Sequence, residues 1–519
     1  MFGQRGGVAG AAALLTTLAA VSAVMGLARD VVTAGVFGAG PDLDAFLVGQ
    51  GLMNVLLGVV AGAMTKASVP VVSRKVAEGT VAAAHHSAMV VLSVTTLAMA
   101  VGSIVMWLSA GSVVAALAPG FGAEQEQLAR LLTRILLLAT VLIAATYLLA
   151  GFAQAHRRFF WSGVQGIPFN VVMILAAALL GPRYGVRALA VGFVVGSAAR
   201  LAAQLVPLRS IGLRIVPALD VRDPGFREVS RLLPALLLGS AIGNVNTLVD
   251  RAVGSGAEAG TIAALTYGWR TASLAELLLI APLVTALYPS LGAARSPATF
   301  AWLVQRGTSL VVVVLAPVAA LVIVAREPVV AMVFGRGDFD ADDVERTASA
   351  VLWYAPGVIA LGWREVVSHA FYAVGDARSP VVVAVGAMIL NVVGDLTFGV
   401  RLGVAGLAAS TALSLVFAAA TTTLLLARRH RNVTVRPVVA TLLRTSVAAT
   451  AGAAVAFGSL RIAGLAEAVE GAGRSALTQS TVAVAGVLAG YVTVLKLLRA
   501  PELVIIGDAA RRITSRRDR

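Results

Sequence analysis

The chain has 519 residues, of which 58% are hydrophobic and only 13% charged, about half the charged fraction of an ordinary soluble protein. A chain this apolar lacks the polar residues to cover a water-facing surface, and its mean hydropathy of +0.89 points to a polytopic membrane protein. It contains no cysteine, which excludes disulfides and thiolate metal sites, and its five histidines make no zinc-binding pattern.

The first stretch, MFGQRGGVAGAAALLTTLAAVSAVMG, has one arginine, an apolar run and a small-residue motif, as a signal peptide does. Its apolar character continues past Ala23 to Ala28, so a first membrane span fits better. A helix needs about 20 apolar residues to cross a bilayer. On that measure spans are predicted near residues 8–28, 44–70, 87–110, 128–152, 160–181, 186–208, 232–254, 262–290, 308–334, 348–373, 380–400, 403–427, 438–459 and 479–498.

The net charge of +15 raises the question of nucleic acid, but no basic stripe interleaved with aromatic residues occurs. The arginines gather instead in short connections. Arg209, Arg214, Arg222, Arg227 and Arg231 follow the sixth span, and Arg428, Arg429, Arg431 and Arg436 follow the twelfth. The tail carries Arg511, Arg512, Arg516, Arg517 and Arg519, and earlier connections carry Arg74, Lys75, Arg157 and Arg158. All of these share one side if both termini are cytoplasmic, as the positive-inside rule asks. The opposite connections are poorer in bases or balanced by acids (AEQEQ at 123–127, GDFDADDVER at 337–346, EAVEGAGR at 467–474), with Arg183 and Arg187 as exceptions. The RRITSRR tail suits anionic lipid headgroups rather than nucleic acid.

The expected fold class is an all-α polytopic membrane protein of about fourteen transmembrane helices. The longest basic connection divides it. Residues 1–208 form an N-terminal lobe, 209–231 a connection, 232–427 a C-terminal lobe, 428–498 two further spans, and 499–519 a basic tail. ARDVVTAGVFGAGPDLDAF (28–46) is echoed by VDRAVGSGAEAGTIAAL (249–265): a charge pair ends one helix, a Gly-x-Gly connection follows, and the next helix begins. After an even number of spans the second copy keeps the orientation of the first, which predicts two parallel six-helix lobes.

Ionised groups within the spans cost about 2.5–3.5 kcal/mol each at a helix centre, so they call for a function or a partner. Asn246 and Asp250 are four apart on span seven, Asn391 and Asp395 four apart on span eleven, and Thr411 lies at similar depth on span twelve. Oxygen ligands without nitrogen or sulfur suit a hard cation, Na⁺ or a proton on a carboxylate; the same residues also suit an interhelical hydrogen-bond cluster. Arg270 sits about two turns inside span eight, and Arg29 and Asp30 close span one at comparable height, with Asp44 opening span two. A guanidinium facing a wet cavity grips phosphate through two parallel bonds. The alternative is structural pairing of Arg29 with Asp44 and of Arg270 with Glu276. Arg364 and Glu365 form another pair or cavity lining. FGRGDFD (334–340) lacks the Lys-Ser/Thr of a phosphate loop and the spacing of a calcium loop, and reads as a solvated external turn. HAFYAVGDARSP (369–380) reads as a helix end, a glycine turn and a proline opening the next helix.

These motifs carry a resemblance. GLARDVVTAGVFGAGPDLDAF, LVDRAVGSG…ALTYGWR, REPVVAMVFGRGDFD and HAFYAVGDARSPVV resemble the signatures of the MurJ (MviN) lipid II flippase family, within the multidrug/oligosaccharidyl-lipid/polysaccharide exporter superfamily, over roughly residues 20–430. The resemblance implies fourteen spans, two lobes and alternating access. It implies transport of an undecaprenyl-diphosphate-linked cell-wall precursor, lipid II foremost, from the inner to the outer leaflet of the bacterial plasma membrane, by a multi-pass transporter and not an enzyme. By that similarity Arg29, Asp30, Asp44 and Arg270 match substrate-contacting cavity positions, and Asp250, Asn391, Asp395 and Thr411 match a cation site for Na⁺ or H⁺.

The chain departs from the family at Ser22-Ala23, where the family has Ser-Arg, at NVLLGVVAGA (54–63), where it has arginine and glutamate, and at His369, where it has arginine. A flippase for another polyprenyl-diphosphate-linked glycan therefore stands as an alternative. So does a cation-coupled small-molecule exporter, and a scaffold recruiting cell-wall enzymes is a third, non-transport class. The expected partners are a lipid-linked saccharide and membrane lipids, with no nucleic acid and no cofactor beyond a coupling cation, in an arrangement compatible with a monomer. No nucleotide-binding motif suggests ATP hydrolysis.

Overall fold

The computed structural model describes residues 8–465, 474–501 and 503. Most of the 467–474 connection and the arginine-rich tail lie outside the described residues. Among the described residues all regular structure is helical, in two compact units, residues 1–260 and 261–519.

The first unit holds α1 (Val8–Phe37), α2 (Pro41–Leu56), α3 (Gly62–Ala77), α4 (Val81–Leu108), α5 (Ala110–Leu117), α6 (Ala123–Ala155), α7 (Phe159–Val164), α8 (Gly166–Leu175), α9 (Gly181–Tyr184), α10 (Val186–Ser210) and α11 (Pro224–Ser255). The second holds α12 (Thr261–Ala275), α13 (Ala281–Gly292), α14 (Pro297–Val324), α15 (Arg326–Phe334), α16 (Ala341–Ala373), α17 (Arg378–Gly394), α18 (Val400–Arg429), α19 (Arg436–Ile462) and α20 (Arg474–Leu497). Five-residue π-helical stretches join α2 to α3, α8 to α9, α12 to α13 and α17 to α18. Each predicted span falls on this helical framework, and among the described residues nine segments are long and apolar enough on their own to cross a membrane. This is an all-α, multi-pass membrane protein.

The helix succession repeats. α4 and α14 both have 28 residues and are each followed by a short helix, and α6 and α16 both have 33. The π stretches recur at matched places: Leu57–Ala61 is answered by Glu276–Ile280, and Ala176–Leu180 by Asp395–Gly399, at the same chain separation. The repeat restarts at α11, one helix before the boundary between the compact units. α11 nonetheless packs on α2, α3, α4 and α5 of the first unit. Glycines allow that approach. A Cβ on Gly51 would occupy the place of the Arg251 guanidinium, one on Gly58 would come within 2.9 Å of Asn244, and one on Gly120 would collide with the backbone at Ser255 and Gly256.

Within lipid the hydrophobic effect adds little between helices, so close van der Waals contact of small residues carries the packing. α1 lies along α7 and α8, where a Cβ on Gly163 would meet Leu18 at 2.7 Å and one on Gly166 would strike the Ser22 hydroxyl. α3, α4 and α6 enclose a core that includes Met64, Val72, Leu92, Leu148 and Phe152. In the second unit α14, α16 and α18 enclose Val304, Trp363, Phe371 and Leu426, and the Trp363 indole donates to Thr423 Oγ1 at 2.9 Å. α19 and α20 are stitched by Gly452, Ala456, Gly486 and Gly490: a Cβ on Gly486 would lie 2.6 Å from the Ala456 Cα, and one on Gly490 2.7 Å from the Gly452 Cα.

The span expected at 308–334 is instead α14, which starts at Pro297 under a Ser296 cap and ends at Val324. Its 28 residues rise about 42 Å, enough to cross. The chain breaks at Ala325, and the paired charges Arg326 and Glu327 open the separate α15. FGRGDFD is less solvated than its composition suggested. Gly337 takes φ +62° and Asp340 caps α16, while Phe339 is buried against Tyr267 and Phe334. The HAFYAVGDARSP stretch behaves as predicted, with α16 ending at Ala373, Gly375 at φ +80° and Pro380 in the first turn of α17. There Asp376 accepts from the Ser379 amide at 3.0 Å and hydroxyl at 2.8 Å, and pairs with Arg429. Those bonds, then the guanidinium, hold its carboxyl below the usual range.

Candidate functional site

In the first unit Arg29 and Asp30 lie where α1 crosses α8. Arg29 Nε and Nη2 donate to the same oxygen of Asp30, at 3.0 and 2.7 Å. Arg29 Nη1 reaches across to Asn170 Oδ1 at 3.2 Å, and Asn170 Nδ2 donates back to the Ser22 carbonyl at 3.4 Å. The guanidinium also faces the Phe169 ring at 5.9 Å. Asn170 is buried, whereas the Arg29 and Asp30 side chains keep 17% and 15% of their surface accessible. The pair is thus braced by helix α8 yet open enough to meet a ligand.

Arg29 pairs with its neighbour Asp30 and not with Asp44, as the structural alternative supposed. Asp44 is buried in the first turn of α2 and accepts the Gly260 amide at 2.8 Å, so it ties the chain end of the first unit to α2. Farther along α11, the Oδ1 of Asn246 is buried with no hydrogen-bond partner among the described residues. Asp250 lies one turn on, beside Arg251.

In the second unit Arg270 is exposed on α12, between Trp269, which packs edge-on against Tyr354 at 5.2 Å, and the buried Thr271. Asn391 Nδ2 donates to both carboxylate oxygens of Asp395, at 3.1 and 3.2 Å, and both residues are buried. Asp395 opens the π stretch after α17, where a widened turn re-aims side chains. The Thr411 hydroxyl donates to its own helix at Leu407 O, 3.2 Å away. Its neighbour Ser410 packs against Gly394, so α18 meets α17 at the level of Asp395. The second unit therefore brings Asn391 and Asp395 into contact and sets Thr411 on the adjoining helix, while Asp250 belongs to the first unit. Among the described residues no group of three or more His, Asp or Glu side chains is arranged to hold a metal ion.

Arg364 and Glu365 pair at 3.1 Å as expected. His369 leans on the same turn, its Nδ1–H donating to the Glu365 carbonyl at 2.8 Å, with the Tyr288 ring edge-on at 5.1 Å. Asn170 was not singled out from sequence. Its signal was an amide within a largely apolar span that also holds Gln165, six residues before a π stretch, much as Asn391 stands four residues before the matching one.

A model of the family described as lipid II flippase MurJ matches residues 33–470. The chain is 28% identical over 416 residues to a probable lipid II flippase MurJ of Vibrio cholerae, covering 77% of this chain and 79% of the relative. It is 29% identical over 409 residues to the lipid II flippase MurJ of Burkholderia cenocepacia, covering 75% and 78%. Among solved structures, a lipid II flippase MurJ in an inward closed conformation superposes with a TM-score of 0.78 at 19% identity, over 93% of this chain and 99% of that one. An inward-facing multidrug resistance MATE family transporter gives 0.66 at 15% identity, over 79% and 95%. The family match spans most of the chain, and the fold agrees with it: this protein belongs to the lipid II flippase MurJ family of membrane transporters.

Proposed function

We infer that the chain moves lipid II across the bacterial plasma membrane, from the inner to the outer leaflet, by alternating access. The observation that carries this reading is the family match over residues 33–470, joined to an arginine within a candidate span that is bonded by Asp30 and Asn170. A guanidinium in that setting suits the diphosphate that joins the saccharide to its polyprenyl chain. Arg29, Asp30 and Arg270 are each proposed to contact the headgroup, with Asp44 fixing the start of α2. The basic connections support a topology with both termini in the cytoplasm.

The driving force is proposed to be a cation gradient or the membrane potential. The potential supplies about 2.3 kcal/mol per charge per 100 mV. Asp395 and Asn391, with Thr411 on the adjoining helix, offer carboxylate and neutral oxygens of the kind that hold Na⁺ or carry a proton, and Asp250 of the first unit is a separate candidate carboxylate. The likeness to multidrug transporters is one of fold at 15% identity and does not favour small-molecule export.

The test is headgroup accessibility in cells depleted of the protein. Depletion is expected to remove lipid II from the outer leaflet, restored by the wild type and not by Arg270→Ala. Unchanged outer-leaflet precursor would reject the lipid-flipping role.

A further inference from the structure

Arg200 is a second half-buried arginine in the first unit. It projects from α10 onto two aromatic rings, with its guanidinium 5.3 Å from the Tyr147 centroid and 5.4 Å from that of Phe169. Phe169 is the ring that also faces Arg29 at 5.9 Å. One phenyl ring on α8 therefore stands against two guanidinium groups, one from α1 and one from α10. Gly196, one turn before Arg200, lets the ring sit against α10: a Cβ there would come within 3.0 Å of it.

The two arginines differ in their partners. Arg29 is neutralised by Asp30. Arg200 is paired with no carboxylate among the described residues, and its Nε is buried without a hydrogen-bond partner. A buried cationic donor left unsatisfied costs more than a neutral one, and an arginine within a span is expensive in itself. Stacking on two rings offsets part of that cost but satisfies none of the N–H groups. The net positive charge of the cluster Arg29, Asp30 and Arg200 is that of Arg200.

We propose that Arg200 is a further anion-binding residue of the transport site, which takes the diphosphate of the lipid-linked substrate together with Arg29, with Phe169 as the wall between them. The inference rests on the lipid-flipping reading and adds a ligand to it. A diphosphate carries several negative oxygens, more than one arginine already bonded to aspartate satisfies. The fork of Arg200 supplies the missing donors.

The test is binding of two probes to the purified full-length protein: undecaprenyl diphosphate and undecaprenol, which share the tail and differ in the phosphates. The wild type is expected to prefer the diphosphate. Arg200→Gln is expected to weaken diphosphate binding about tenfold, the loss of one charge-assisted contact, and to leave undecaprenol binding unchanged. Arg200→Lys keeps the charge and the stem packing but loses the fork, and is expected to cost about threefold; it serves as the deciding variant should Arg200→Gln not fold. A wild type without preference for the diphosphate overturns the lipid-flipping reading and this inference with it. A preference that Arg29→Ala weakens, while both Arg200 variants match the wild type, overturns this inference alone. An equal loss of both probes assigns Arg200 a structural role and also overturns it.

Discussion

Arg29 of α1 and Asn170 of α8, 141 residues apart in the chain, meet at 3.2 Å. The amide oxygen takes one N–H of the guanidinium, Asp30 takes two more, and the bonds fix the plane in which the remaining donors point. An arginine so braced has already lost its side-chain freedom, so a ligand meeting its free edge would not bear that entropy cost.

Replacing Asn170 by Leu keeps the charge of Arg29 and removes its brace. A hydrogen bond to a charged group contributes about 1.5–3 kcal/mol, so lipid II exchange in proteoliposomes is expected to slow by about tenfold or more. Asn170→Asp, which keeps the acceptor, is expected to retain more exchange than Asn170→Leu. Equal activity of Asn170→Leu and wild type would show that the brace has no part in transport.

Asp395 is buried with both carboxylate oxygens bonded by Asn391. Asp395→Asn keeps the shape and removes the charge. It is expected to leave undecaprenyl diphosphate binding within about twofold of wild type while abolishing the stimulation of exchange by an imposed Na⁺ or proton gradient. Gradient stimulation that survives in Asp395→Asn would remove this residue from the coupling scheme.

The α19–α20 hairpin depends on Gly486 and Gly490, a Gly-x-x-x-Gly pair against Gly452 and Ala456. Gly490→Val forces the backbones apart, with an overpacking cost of about 1–3 kcal/mol. The sequence contains no cysteine, so an engineered pair across the hairpin reports directly on its closure. Crosslinking is expected to fall in Gly490→Val and to persist in Gly458→Ala, where an added Cβ meets open space.

Asp376 titrates below the usual carboxylate range because the Ser379 bonds, and then Arg429, favour its ionised form. A depressed folded value means that its stabilisation is present above the unfolded carboxylate pKa of about 3.9 and disappears as pH falls through the folded value. The melting-temperature difference between wild type and Asp376→Asn is expected to stay constant from pH 8 to about pH 5, and to shrink below about pH 4. A difference that grows on acidification would contradict the assignment.

Much of the fold was legible because the bilayer constrains it. Apolar runs of the right length separated by arginine-rich connections gave the spans, and Gly375 with Pro380 gave a turn that the backbone adopts. The π stretches were not legible: Leu57–Ala61 and Ala176–Leu180 are ordinary apolar sequence, and their widening is set by neighbours. Nor was the end of α14, because Val324 and Arg326 flank a single alanine that carries no breaker signal. At the site, Arg29 was visible as a charge in an apolar run. Its partners were not, since Asp30 and Asp44 are equally plausible acids by spacing and only the side-chain geometry chooses between them. Asn170 shares its span with Gln165, and Arg200 shares its span with Arg187 and Gln204, so spacing alone did not single either one out.

The most direct measurement is the leaflet exchange of lipid II in proteoliposomes containing only this protein. The account predicts exchange well above that of empty vesicles for the wild type, and a loss of about tenfold or more for Arg29→Ala and for Arg270→Ala in folded protein. Exchange by both variants at the wild-type rate, or none by the wild type, would contradict it.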